Sequence, residues 1–355
     1  MLNNATNHRR SVISRLLNPK YLMVYATAAI FLCVYAIGGV LYGDRGFLTL
    51  RTFLMLFVDS AFIGIMAIGM TVVLISGGID LSVASIASLT GMIIAYGNAE
   101  LGVDPFVCAA FALLVGTCLG MLMGAMIHYL NVAPFITTLT GMFLARGVTA
   151  LISRDSIPIR HEAFSALASW KINFKVKPIA YINFNIILFF AVLLFGIYLL
   201  QFTRFGRNVY AIGGSESSAR LMALPVAKTK IMVYGFSGFC AALAGISYAL
   251  YVRSGWNLSL MGNELDAISS AVIGGVLLTG GTGYVFGTFI GVMLRSIIPT
   301  IITFNGTLSS WWGRIAIGAL LLIFIGLQRL VIMLTSGRRA GRKSNKESGK
   351  SAGIP

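Results

Sequence analysis

Residues 53–76 read FLMLFVDSAFIGIMAIGMTVVLIS, and residues 77–83 continue GGIDLSV. The first stretch carries one charge, Asp59, and no polar face. A helix rises 1.5 Å per residue, so a run of this length crosses a hydrocarbon core of about 30 Å. A helix that is apolar all round is buried in a large core or in a bilayer. The whole chain decides between these. It has 355 residues, 57% of them hydrophobic and 11% charged, with mean hydropathy +0.87. A soluble domain carries about 25% charged residues. The solvent of this chain is therefore a membrane.

Working outward from residues 53–76, nine further apolar runs occur at 21–41, 79–96, 106–127, 135–152, 184–200, 231–252, 265–279, 285–302 and 315–334. The expected fold class is an all-α integral membrane protein of about ten transmembrane helices. Two runs are irregular. Run 79–96 opens at a Gly-Gly pair, and run 265–279 is short and rich in Gly and Ser, as in a broken or re-entrant segment. Gly78-Ile79-Asp80-Leu81-Ser82 and Gly262-Asn263-Glu264-Leu265-Asp266 both set an acidic residue beside a leucine at the head of such a run. Two readings stand: an inverted repeat framing a transport path, or chance in a chain with 40 glycines.

The net charge of +16 clusters in three places. Residues 1–20 carry Arg9, Arg10, Arg15 and Lys20; the stretch 201–230 carries Arg204, Arg207, Arg220, Lys228 and Lys230; the tail carries Arg338, Arg339, Arg342, Lys343, Lys346 and Lys350. Basic loops stay cytoplasmic and meet anionic lipid. An even number of spans must then separate each pair of clusters. Six runs before residue 201 and four after residue 230 satisfy this. The chain divides into a basic cytoplasmic N-terminus (1–20), a transmembrane domain (21–334) with a cytoplasmic loop at about 201–230, and a basic disordered cytoplasmic tail (335–355). Loop 154–181 opposes the scheme: it lies outside yet holds Arg154, Arg160, Lys171, Lys175 and Lys177 against Asp155 and Glu162. Long loops follow the charge rule less strictly. No nucleic-acid role is needed to explain the charge. Cys33, Cys108, Cys118 and Cys240 all lie in apolar runs and read as packing residues rather than a disulfide framework.

The loop 201–230 is the most informative. Gly213 and Gly214 make a turn, Ser215 caps a helix, and Glu216 sits in its first turn, where a negative charge suits the dipole. Ala219, Leu221 and Met222 form a small apolar face, and Pro225 limits the helix. Such a helix serves either a cytosolic partner or the lipid interface. Inside the spans, Asp59, Asp80, Arg146, Asp266 and Arg295 are the notable charges. A charge at bilayer centre costs about 2.5–3.5 kcal/mol on insertion scales, so these face protein or water. They either line a pathway or pair between helices, with Asp59 next to an arginine as one such pair. The pairing role is preferred, since a neutral cargo needs no charge. Trp311-Trp312 reads as an interfacial anchor.

Segment 210–224 resembles the cytoplasmic coupling loop of monosaccharide ABC importer permeases of the ribose/arabinose/galactose type. Ser76-Gly77-Gly78-Ile79-Asp80-Leu81-Ser82-Val83 looks like that family's signature, with Ala84-Ser85 where Gly-Ser is usual. Residues 155–159, 264–268 and 306–312 are similar to galactofuranose-transporting members. The resemblance runs from about residue 50 to 332. It implies a membrane-spanning permease of the bacterial inner membrane, multi-pass, moving a monosaccharide by alternating access. It implies a cytosolic ATP-binding subunit, which holds ATP and Mg, a periplasmic sugar-binding protein, and a second permease, the same or different. It also implies that Gly213, Gly214, Ser215, Glu216, Ser217, Ala219, Arg220 and Leu221 contact the ATPase. Consistent with that division, the sequence holds no G-x-x-x-x-G-K-[ST] phosphate loop, no metal-ligand spacing among His8, His128 and His161, and no nucleophile–base set. It is not expected to be an enzyme or to hold a cofactor or metal. The rival classes are an ion-coupled secondary sugar transporter, with Asp59, Asp80 or Asp266 as the proton site, and an intramembrane transferase.

Overall fold

The computed structural model describes residues 19–309 and 311–328. The basic residues 1–18 and 329–355, with the end of run 315–334, lie outside the described residues. In chain order the helices are α1 (Pro19–Tyr42), α2 (Leu50–Ile75), α3 (Val83–Ala99), α4 (Pro105–Tyr129), α5 (Pro134–Ile152), α6 (Glu162–Ser169), α7 (Phe184–Phe202), α8 (Arg204–Gly214), α9 (Glu216–Leu221), α10 (Val226–Val252), α11 (Asn263–Ile273), α12 (Val285–Asn305) and α13 (Trp311–Gln328). Four short strands, β1 (Ile157–Pro158), β2 (Lys171–Phe174), β3 (Ala180–Asn183) and β4 (Ser254–Gly255), form two antiparallel pairs, β1 with β4 and β2 with β3.

The chain is thus an all-α membrane protein. Among the described residues eight helices are long and apolar enough to cross a bilayer: α1, α2, α4, α5, α7, α10, α12 and α13. The two irregular runs supply the remaining crossings. α3 has 17 residues and is preceded by the non-helical stretch 76–82, whereas α11 has 11 residues and ends at Ile273, six short of the expected end at 279. Gly274 and Gly275 stop α11; Gly275 takes φ +93°, which a side chain resists. The expected outer loop 154–181 holds β1, α6 and the β2–β3 hairpin.

Local sequence explains where the helices begin. Thr49, Asp104, Asn183, Thr203 and Ser215 each accept a hydrogen bond from a first-turn backbone N–H, at α2, α4, α7, α8 and α9 respectively. The first N–H groups of a helix have no partner within it, and a side-chain oxygen just ahead supplies one, so these caps mark helix starts.

Packing places α2 at the centre. It is almost wholly buried and touches α10, α12, α11 and α7. α10 is its counterpart, packed on α4, α2 and α3. α3 and α4 lie on α10 as α11 and α12 lie on α2, an arrangement of the kind an inverted repeat produces. α4 meets α10 through Gly116, Gly120 and Gly124, spaced four apart on one helix face. A Cβ on Gly124 would stand 2.9 Å from the Cα of Ile231, and one on Gly120 would strike the Tyr234 backbone. In lipid there is no hydrophobic force to join helices, so small residues that let backbones approach do the work. Cys108 and Cys240 are buried in packing as expected; Cys33 and Cys118 are exposed on the chain's surface, and all four are free thiols.

Candidate coupling site

The stretch 201–225 folds as two helices, not one. Thr203 caps α8, and α8 runs to Gly214; Ser215 then caps α9, its Oγ accepting from the Ser218 N–H at 3.2 Å. The expected turn at Gly213-Gly214 is absent, because both residues belong to the last turn of α8. Their smallness serves close approach instead. A Cβ on Gly213 would lie 2.7 Å from the Gly281 nitrogen and closer still to the Ile75 carbonyl oxygen. The neighbouring Gly214 has nothing within 4 Å of the corresponding position.

Around Gly213 three pieces of backbone converge. The Gly281 N–H donates to the Ile75 carbonyl at 2.8 Å, joining the end of α2 to the stretch that follows α11. A Cβ on Gly280 would stand 2.8 Å from the Gly77 Cα. Tyr210 on α8 donates its hydroxyl to the Gly283 carbonyl at 2.7 Å. Gly77, Gly280, Gly281 and Gly283 all have positive φ, so these turns admit a side chain only with strain. The non-helical parts of both irregular crossings, 76–82 and 274–284, therefore meet each other and α8 in one glycine-lined junction.

α9 projects from this junction. Ala219 is fully buried and packs with Ile212 and Val226, which pins the α9 turn to α8 and α10. Leu221 is 89% exposed and Met222 is 62% exposed. The expected single apolar face of Ala219, Leu221 and Met222 is thus split, one residue inward and two outward, because six residues of helix turn Leu221 away from Ala219. Glu216 accepts from Arg220 and from Lys230, both at 2.7 Å. Partial burial raises the Glu216 pKa, but the Lys230 and Arg220 hydrogen bonds outweigh it and hold the carboxyl below its ordinary value. Ser217 is exposed with its Oγ 3.1 Å from that of Ser215. The site as a whole is a rigid foot with an apolar tip, fastened to the two irregular crossings.

The other charged candidates lie elsewhere. Asp80 is fully buried in the stretch before α3; its Oδ1 accepts from the Ser82 N–H at 2.9 Å and Ser82 Oγ at 2.6 Å, and its Oδ2 accepts from Ser237 Oγ of α10 at 2.7 Å. Asp266 pairs with Arg295 at 2.8 Å, tying α11 to α12. Arg146 donates to the Asn257 and Ser259 carbonyls at 2.8 and 2.7 Å. Asp59 does not meet an arginine: it accepts from the Tyr251 hydroxyl at 3.2 Å. Of the in-span charges only Asp266 and Arg295 form an ion pair between helices; Asp80 is held by serines and Arg146 by backbone carbonyls. α8 and the glycine junction were missed from sequence. The capping pattern at Thr203 was the available signal; the junction left none, since its parts come from three separate segments. Among the described residues no group of three or more His, Cys, Asp or Glu could hold a metal ion.

Comparison with known proteins gives a consistent picture. The family described as branched-chain amino acid transport system / permease component matches residues 52–325. The inner membrane ABC transporter permease protein YjfF of Escherichia coli is 45% identical over 295 residues, covering 83% of this chain and 88% of that protein. The fructose import permease protein FruG of Bifidobacterium longum is 39% identical over 318 residues, covering 88% and 92%. The ribose import permease protein RbsC of Escherichia coli is 34% identical over 279 residues, covering 79% and 86%. No solved structure matches the chain.

Proposed function

Because this chain belongs to the family of ABC importer permease components that matches residues 52–325, we propose that it is the membrane-spanning subunit of an ATP-driven monosaccharide importer. The family's description speaks of branched-chain amino acids, while relatives of 34–39% identity are named for ribose and fructose. The charges favour the sugar. A zwitterionic amino acid calls for free groups of both signs in the path, yet Asp80, Asp266, Arg146 and Arg295 are all engaged with protein groups, which leaves Asp59 with no free in-span cation beside it. A neutral, hydroxyl-rich cargo fits that arrangement. Galactofuranose is the first candidate, from the resemblance in residues 155–159, 264–268 and 306–312.

The observation that carries the reading is the foot. Leu221 and Met222 form an apolar tip for a partner, and Gly213 fastens the foot to both irregular crossings. The foot end carries Arg204, Arg207, Arg220, Lys228 and Lys230, which supports reading it as the cytoplasmic end, with both termini on that side by the even number of spans expected on either side of the loop. A cytosolic ATP-binding subunit grips the tip. Its closure moves α8, and α8 moves 76–82 and 274–284 together, opening or sealing a path beside α2. ATP and Mg are held by that subunit. A periplasmic binding protein delivers the sugar at the opposite end, and a second permease completes the path.

The test is uptake in proteoliposomes holding this chain, its ATPase, its partner permease and its binding protein, with galactofuranose, ribose, fructose and galactose. Uptake that requires both ATP and the binding protein is the expected result. Uptake driven by an ion gradient without the ATPase overturns the proposal.

A further inference from the structure

Asp59 is anomalous. It is an exposed carboxylate on α2, the most enclosed span of the chain, and no cation pairs with it among the described residues. A charge of this kind does not face hydrocarbon, where it would be strongly disfavoured. Its surroundings are aromatic. The Tyr251 hydroxyl donates to Oδ1 at 3.2 Å. Phe62, one turn along α2, packs edge-on against Tyr248 with centroids 5.1 Å apart and lies 6.2 Å from the Tyr251 ring. Tyr181, on β3, directs its hydroxyl to the Met55 sulfur at 3.8 Å and so faces elsewhere. Tyr251 stands one residue before the end of α10, at the end of that helix remote from the foot.

We infer that the surface formed by Asp59, Tyr248 and Tyr251, backed by buried Phe62, is a contact site for the ring of a neutral, hydroxyl-bearing cargo; the inference rests on the sugar-importer reading. A carboxylate accepts hydrogen bonds from two neighbouring hydroxyls and forms charge-assisted bonds, the stronger kind. Tyrosine hydroxyls both donate and accept, which matches alcohol groups. The half-buried Tyr248 ring, held from behind by buried Phe62, supplies an apolar wall for the C–H face of a sugar ring. Asp59 keeps its second oxygen, Oδ2, free of protein donors among the described residues. Asp59 and Ile75 are 16 residues apart on one buried helix, about 24 Å along its axis. The helix that carries Asp59 therefore ends in the glycine junction, so a shift at the foot reaches the cargo contact along α2.

The test uses the complete complex in proteoliposomes, comparing wild type with Asp59→Asn and Tyr251→Phe. The probes are a sugar that the wild type takes up and deoxy analogues of it, each lacking one hydroxyl. For a hydroxyl bound by Asp59, the wild type should discriminate against the matching analogue by roughly 10- to 100-fold. In Asp59→Asn that factor should collapse to about 3-fold or less. In Tyr251→Phe it should shift by roughly 2- to 10-fold. Discrimination by the delivering protein is common to wild type and variants, so it cancels in the comparison. Unchanged discrimination in both variants overturns the inference, whether uptake is normal or falls equally for all sugars, because a structural role alone lowers uptake uniformly. Uptake driven by an ion gradient and lost in Asp59→Asn overturns it by making Asp59 an ion site. A wild-type complex that moves no sugar with ATP overturns the importer reading, and the inference with it.

Discussion

Gly213→Ala is the perturbation that tests the foot most sharply. The added methyl would lie 2.7 Å from the Gly281 nitrogen and 2.9 Å from the Ile75 carbonyl carbon, and closer again to the Ile75 oxygen. Ordinary carbon contacts fall at about 3.5–4.0 Å, so α8 and the end of α2 must separate by about 1 Å or more. Every atom in the way is backbone, and none can rotate aside. Overpacking of this kind costs about 1–3 kcal/mol. Separation also strains the Gly281-to-Ile75 hydrogen bond of 2.8 Å, and leaving a buried backbone group unpaired costs a further 1–3 kcal/mol or so. The total, about 2–6 kcal/mol, is enough to undock the foot without disturbing the spans. The expected outcome is normal membrane insertion with ATP-driven uptake reduced at least about tenfold, which 1.4 kcal/mol alone would produce. Gly214→Ala is the internal control. Its methyl meets nothing within 4 Å, and alanine is the better helix residue, so uptake should stay at wild-type level. Uptake, ATP hydrolysis and the amount of inserted protein are measured side by side. Wild-type uptake in Gly213→Ala, or equal loss in both variants, would refute the argument that backbone contact at Gly213 transmits motion.

Three further expectations follow from the same geometry. Leu221→Asp changes a residue that is 89% exposed, so the permease should insert and melt normally while its ATPase no longer co-purifies; retained co-purification would remove Leu221 from the interface. The Glu216 carboxyl has its pKa lowered in the folded chain, so its pairing with Lys230 and Arg220 is fully present above the ordinary carboxylate value and is lost as pH falls through the lowered folded value. Coupled ATP hydrolysis should thus show no Glu216-dependent change between about pH 6 and 8, and a wild-type–minus–Glu216→Gln difference profile with a step in that window would contradict the assignment. Asp80→Asn keeps an acceptor for the Ser82 donors, whereas Asp80→Ala strands Ser82 and Ser237, so the alanine variant should be destabilised by about 1–3 kcal/mol relative to wild type and the asparagine variant much less; equal thermal stability of the two in detergent would show that the Asp80 hydrogen bonds carry no weight.

Much of the architecture could be read along the chain. Runs near 20 residues long predicted the spans, and the Gly-Gly before Ile79 and the Gly/Ser-rich run at 265–279 correctly marked the irregular crossings. Ser215 was legible as a cap because that signal is local. The turn expected at Gly213-Gly214 was misjudged for a physical reason: glycine marks both flexible turns and sites of close backbone approach, and only the neighbours tell them apart. Asp59 was set beside an arginine on charge alone, while its partner Tyr251 lies 192 positions away.

Amino-acid order by itself determined that this chain lives in a bilayer, where most of its spans run, which loop leaves the membrane as a capped foot, and which family pattern residues 76–83 carry. Those features depend on length, composition and contacts a few residues apart. The tertiary structure alone decided that Gly213, Ile75 and Gly281 meet, that Asp266 finds Arg295, and that Asp59 of α2 meets Tyr251 of α10. The reason is the solvent. In water an apolar stripe says which face of a helix turns inward, but lipid is as apolar as a protein core, so a span that is hydrophobic all round carries no such mark. What orients these helices is the fit of glycines and the pairing of a few buried polar groups, and both exist only once distant segments have come together.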